Sequence, residues 1–101
     1  MKPEIEEHIA RIEKAVSEYL DANHEWAGVS RQYNIEEQRQ HIVRIGTSLL
    51  CTKWNIGYPG GSFVEAVVSN NLSESIGRAD TINQHALKFY CSLMHNTGYI
   101  S

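Results

Sequence analysis

Apolar side chains return every third or fourth residue along three separate stretches of this 101-residue chain. The first is Ile5, Ile9, Ile12, Val16, Tyr19 and Leu20, the second Ile42, Ile45, Leu49 and Leu50, and the third Ile82, Ala86, Phe89 and Leu93. That spacing follows the 3.6-residue period of an α-helix and not the two-residue period of a strand. Each stripe must be buried against another element, so the chain is expected to be all-α, a single compact domain of four or five helices over 1–101. A chain of this length buries a workable core without metal or disulfide staples.

The ends of the helices are also legible. Pro3 suits a first helical position, and Glu4, Glu6 and Glu7 lie at the positive pole of the helix dipole, which predicts a helix over 3–22. The polar residues around Gly28 predict a loop, with Trp26 and Val29 able to pin it to the core. Asn34 and Glu37 have N-cap spacing, and the pattern predicts a long helix from Ile35 to about Trp54, stopped by Asn55-Ile56-Gly57. Gly46, inside that helix, costs about 1 kcal/mol relative to Ala, which suggests close approach of another helix.

Pro59-Gly60-Gly61 then breaks the chain. Pro59 fixes φ, and Gly60 and Gly61 permit backbone angles closed to other residues. Ser62 and Glu65 have capping-box spacing ahead of Phe63, Val64, Ala66, Val67 and Val68, a short run apolar nearly all round that is expected at the centre of the fold. Asn70-Asn71 interrupts it, a helical turn or two follows over 72–77, and a last helix starts near Asp80 or Thr81, where Thr81 with Gln84 repeats capping-box spacing, and is stopped by Asn96-Thr97-Gly98. Helix 1 and the long helix are expected to pack against this last helix, with 63–68 between them and a core of Ile9, Ile12, Val16, Ile42, Ile45, Leu49, Phe63, Val67, Ile82, Ala86, Phe89 and Leu93.

Charge and composition narrow the function. The formal net charge is −3, where a dedicated phosphate-backbone binder normally carries a basic face, so nucleic acid is not the expected partner. The acidic N-terminal stretch has no apolar h-region and no segment approaches a membrane span, so a cytoplasmic protein without a membrane partner is expected. Cys51 and Cys91 sit in apolar helical stretches and are read as buried thiols.

No residue constellation stands out as catalytic. The five histidines are dispersed, no pair has the i, i+4 spacing of helical metal ligands, and there is no Cys-x-x-Cys, so no metal and no cofactor is expected. Cys91 precedes His95 by four residues, the spacing of an activated thiolate, but an apolar face denies the exposure that activation needs. Gly57, Gly60 and Gly61 match neither the dinucleotide nor the P-loop fingerprint and are read as turn residues. Two segments could host a helix-turn-helix, 26–43 and 73–90. The first carries Glu36 and Glu37 where phosphates would approach, and the second offers Asn83, Gln84 and His85 with Arg78 and Lys88.

One polar cluster remains, at the junction before the last helix: Asn70, Asn71, Arg78, Asp80 and Asn83. Arg78 and Asp80 could pair across the turn and position Asn83. The cluster reads either as a recognition surface or, favoured on residue type, as a hydrogen-bonded corner holding two helices. Trp26, Trp54, Tyr58 and Tyr99 exceed what some small cores can hide, and aromatics exposed together mark an interface. The candidate interaction surface is therefore Asn70, Asn71, Arg78, Asp80 and Asn83 with Trp26 and Tyr58.

The run from Pro59 to Leu72, followed by Arg78-Ala79-Asp80 and Asn83, resembles a pattern in small helical proteins encoded by tailed bacteriophages and prophages. That pattern has a Pro-Gly-Gly-Phe start, an Asn-Asp-Leu step and an Arg-Ala-Asp-x-x-Asn step before a final helix. The likeness covers 58–96, with Asn71 in place of the Asp and Ser62 inserted before Phe63. It implies a helical fold and a phage origin, and it transfers no catalytic residue. The function it implies is a non-enzymatic accessory protein that binds a host protein in the host cytoplasm, as inhibitors of host defence or nuclease complexes do. The alternative is a small helix-turn-helix-like DNA-binding regulator. The stripe of helix 1 also admits a homodimer, with packing inside its own domain preferred.

Overall fold

A computed structural model describes residues 2–23, 35–57, 59–78 and 80–101, and of Leu72, Ile76, Arg78 and Thr81 it describes the backbone alone. Among the described residues there are five helices and no strand: α1 (Pro3–Ala22), α2 (Ile35–Lys53), α3 (Ser62–Val68), α4 (Leu72–Arg78) and α5 (Thr81–Asn96). The all-α expectation holds. Trp26, Tyr58, the loop after residue 23, the Asn34 cap and the first half of the 26–43 segment lie outside the described residues.

α2 is the hub, packing against α1, α3 and α5. The reason is visible at Gly46. A Cβ built there would stand 2.8 Å from Val16 Cγ1 and 3.0 Å from Leu93 Cδ2, so α1 and α5 both press on the bare backbone of α2 at this point. The close approach inferred from the sequence is found, and it comes from two helices at once. α3 lies outboard of this trio, against α2 and α4, and not between the long helices as expected. Its buried face (Phe63, Val64, Ala66, Val67) is covered by those neighbours, and Phe63 meets Tyr90 of α5 edge-on with ring centroids 5.9 Å apart.

The core follows the three stripes with adjustments. Ile12, Val16, Ile42, Leu49, Phe63, Val67, Ala86, Phe89 and Leu93 are buried as expected, while Ile9, Ile45 and Ile82 are half-buried and pack against the core's edge. Leu20, Val43, Leu50, Val64 and Tyr90 take the extra interior places, because α2 is covered on more than one side. Cys51 is buried, but Cys91 is exposed, on the face of α5 turned away from Phe89, Tyr90 and Leu93, which corrects the buried-thiol reading for that residue. Both thiols are free.

The turn after α2 begins at the expected Asn55-Ile56-Gly57 stop, but its glycines act differently from the sequence reading. Asn55 takes a left-handed φ of 57°, and the amides of Ile56 and Asn55 return to the carbonyls of Cys51 (2.8 Å) and Thr52 (3.3 Å), a Schellman closure. Gly57 has a positive φ (69°), whereas Gly60 and Gly61 do not. Gly60 is needed for space: its amide donates to Thr52 Oγ1 at 2.9 Å, and a Cβ there would lie 2.5 Å from Val64 Cγ1 and 2.6 Å from Ser48 Oγ. The proposed Ser62–Glu65 capping box is absent. Gly61 is the N-cap, its carbonyl accepting from Glu65 N at 2.9 Å, and Ser62 is already helical, so no side chain caps α3.

Candidate functional site

The junction cluster resolves into separate structural duties. Asn70 adopts a left-handed φ of 62° and closes α3: its own amide reaches Val67 O at 3.0 Å and that of Asn71 reaches Ala66 O at 2.9 Å. Asn71 also starts α4, its Oδ1 accepting from Glu74 N at 3.1 Å. Asp80 is the N-cap of α5, accepting from Asn83 N at 2.8 Å, so the cap is Asp80 and not Thr81 with Gln84. The side-chain pairing of Asp80 that the structure shows is with His41 of α2, Nε2 to Oδ2 at 3.3 Å. That contact is ionic in distance only. His41 Nε2 is buried and has no hydrogen-bonding partner among the described residues, so the two atoms are near but misaligned.

Asn83 faces inward. It is buried, and its Oδ1 accepts from the hydroxyl of Tyr90 at 2.6 Å. Burial, and then the nearby charge of Asp80, push the Tyr90 hydroxyl well above the ordinary tyrosine range, so it remains a protonated donor. These contacts tie the start of α5 to its own middle turn and to α2. They also take Asn83 out of any base-reading role in the 73–90 segment, where Gln84, His85 and Lys88 are exposed.

Two surfaces lie elsewhere. The first is an open groove of about 890 Å³ between α1 and α2. Its α1 wall carries Glu13, Lys14 and Glu18, its α2 wall Arg39 and Arg44, and Val43 lies between them. Arg39 is engaged with both carboxylate oxygens of Asp21 (2.9 and 3.1 Å) and with Ser17 Oγ (2.6 Å), which joins α1 to α2. Glu13 and Arg44 also border a smaller depression of about 270 Å³ whose remaining lining is mainly Ile9, Thr47, Cys51 and Ile56.

The second surface is aromatic. Residues 97–101 leave α5 and cross α1 and the end of α2. His8 Nε2 donates to Ile100 O at 2.6 Å; a carbonyl only accepts, so this ring nitrogen carries the proton. Arg11 Nε donates to Ser101 O at 3.1 Å, and Lys53 Nζ donates to Met94 O at 2.8 Å in the last turn of α5. The ring of Tyr99 stands edge-on to Trp54 (centroids 5.1 Å, 71°) and to His8 (5.9 Å, 80°), yet Tyr99 is 63% exposed. The sequence reading flagged Trp54 and Tyr99 as surplus aromatics. What brings them together is the pair of side-chain hydrogen bonds to 97–101, which no spacing in the chain announces.

Searches against protein-family models, curated proteins and solved structures return no match.

Proposed function

We propose that this chain is a non-enzymatic binding module that acts by covering the surface of a partner protein. A phage-encoded accessory protein that inhibits a host defence or nuclease complex in the host cytoplasm is the form of that activity in best accord with the sequence likeness over 58–96. The observation that carries the binding reading is the aromatic surface of Trp54 and His8, overlaid in the free chain by the largely exposed ring of Tyr99. Supported aromatics of this kind supply contact area at low conformational cost and are enriched at interface centres. The junction residues carry no part of it, since Asn70, Asn71, Asp80 and Asn83 are engaged in closing and capping helices.

The test is affinity capture from host lysate with the wild-type chain and Trp54→Ala in parallel. A stoichiometric protein retained by the wild type and lost with Trp54→Ala is the expected result. No stoichiometric partner, or equal retention by both, refutes the reading.

A further inference from the structure

The segment 97–101 occupies its seat as a ligand would. Among the described residues, the two side-chain hydrogen bonds that hold it, from His8 and Arg11, land on main-chain oxygens, which any sequence supplies. Selectivity comes from its two side chains: Tyr99 stands edge-on to His8 and Trp54, and Ile100 packs against the core. The segment is also weakly attached. Among the described residues its one backbone hydrogen bond is Thr97 N to Leu93 O, which only finishes α5, and Gly98 has open space around it. Few buried contacts and unpaired amides characterise segments that open at low cost.

We propose that His8, Arg11 and Trp54 form a recognition seat for an extended peptide segment carrying an aromatic residue followed by a β-branched aliphatic one, and that 97–101 is a built-in occupant which the partner's segment displaces. The chemistry of the occupant identifies the partner: two successive main-chain oxygens to accept from His8 and Arg11, an aromatic edge for Trp54, and an aliphatic side chain to pack against the edge of the core. The tethered segment competes at an effective concentration in the millimolar range, so an incoming segment binds only when it is presented with further contacts or when the tether is weakened.

This inference deepens the binding-module reading and rests on it, but its test needs no partner. A labelled peptide of sequence Asn-Thr-Gly-Tyr-Ile-Ser is titrated into the full wild-type chain and into full chains carrying Tyr99→Ala or Ile100→Ala, with circular dichroism as the folding control. The two variants should bind the peptide at least ten-fold more tightly than the wild type. Adding His8→Ala should remove that binding, and a peptide with Ala-Ala in place of Tyr-Ile should not bind. Folded variants that treat the two peptides alike overturn the proposal. Tyr99 is exposed, so its variant remains interpretable if Ile100→Ala fails to fold. A concentration-dependent dimer of the wild-type chain that the peptide dissociates would instead assign the seat to a second copy, and would also overturn it. In the capture experiment Tyr99→Ala should increase retention, whereas a directly contacting Tyr99 would decrease it.

Discussion

Gly46→Ala tests whether α2 is the place where α1 and α5 meet. The added methyl would sit 2.8 Å from Val16 Cγ1 and 3.0 Å from Leu93 Cδ2, roughly 0.5–1 Å inside the ordinary carbon–carbon separation. Neither neighbour gives way easily. Val16 is fully buried and β-branched, with one favoured rotamer in a helix, and Leu93 is also buried. Overpacking of this kind costs about 1–3 kcal/mol, while replacing Gly by Ala in a helix interior returns about 1 kcal/mol. The net expectation is a loss of up to about 2 kcal/mol, a fall in Tm of up to roughly 16 °C for a domain this size. Gly77→Ala is the control: Gly77 is also helical, but open space surrounds it, so the same exchange should stabilise by a few tenths to about 1 kcal/mol. Urea unfolding followed by circular dichroism measures both. Because Val16→Ala removes the clashing methyl, it should cost about 1 kcal/mol less beside Gly46→Ala than alone. A Gly46→Ala protein stabilised as much as Gly77→Ala would refute the hub packing.

Further expectations follow from single contacts. Asp80→Ala should lower stability by about 1 kcal/mol through loss of the α5 cap, with Asp80→Asn retaining most of it, read from urea midpoints. Tyr90→Phe leaves Asn83 Oδ1 unpaired in a buried site and should cost about 1–3 kcal/mol by the same assay. Because the folded state holds the Tyr90 hydroxyl above its unfolded value, that contribution is intact below the unfolded tyrosine pKa of about 10 and is lost as pH rises beyond it; the alkaline decline should be shallower in Tyr90→Phe. An aromatic-disulfide thiol reagent should label Cys91 in the native chain and reach Cys51 only on unfolding, since Cys51 is buried and Cys91 is exposed. Duplex DNA should not be shifted by the chain at low salt; salt-dependent binding there would favour the regulator alternative.

The long helices were legible because each carries a clear period and a clear stop. Pro3 begins α1, Asn55 ends α2 and Asn96-Thr97 ends α5 close to where the residue types predict. Gly46 was legible for the same reason, as a costly residue in a helix that needed an explanation. The misread details are those where several residues in a row can do one job. Gly61 caps α3 although Ser62 is the better capping residue by type, because Gly60 must press against Ser48 and Val64 and this sets where the helix can begin. Of the two starts offered, Asp80 or Thr81, Asp80 caps α5, and its charge lies beside His41, thirty-nine positions earlier, a proximity that only the packing of α2 on α5 creates. Ile9, Ile45 and Ile82 have the same period as their buried neighbours but fall at the margin of their stripes, which periodicity alone cannot distinguish. The aromatic seat was half legible: Trp54 and Tyr99 were surplus by count, but their meeting depends on His8 and Arg11 holding carbonyls more than ninety positions away in the chain for His8, and about ninety for Arg11.

Hydroxyl-radical footprinting of the chain alone and in its captured complex tests the account most directly. Oxidation of Trp54 and His8 should fall sharply in the complex while the exposed His85 and Cys91 of α5 react as before. Protection of His85 and Cys91 with Trp54 and His8 unchanged would contradict it.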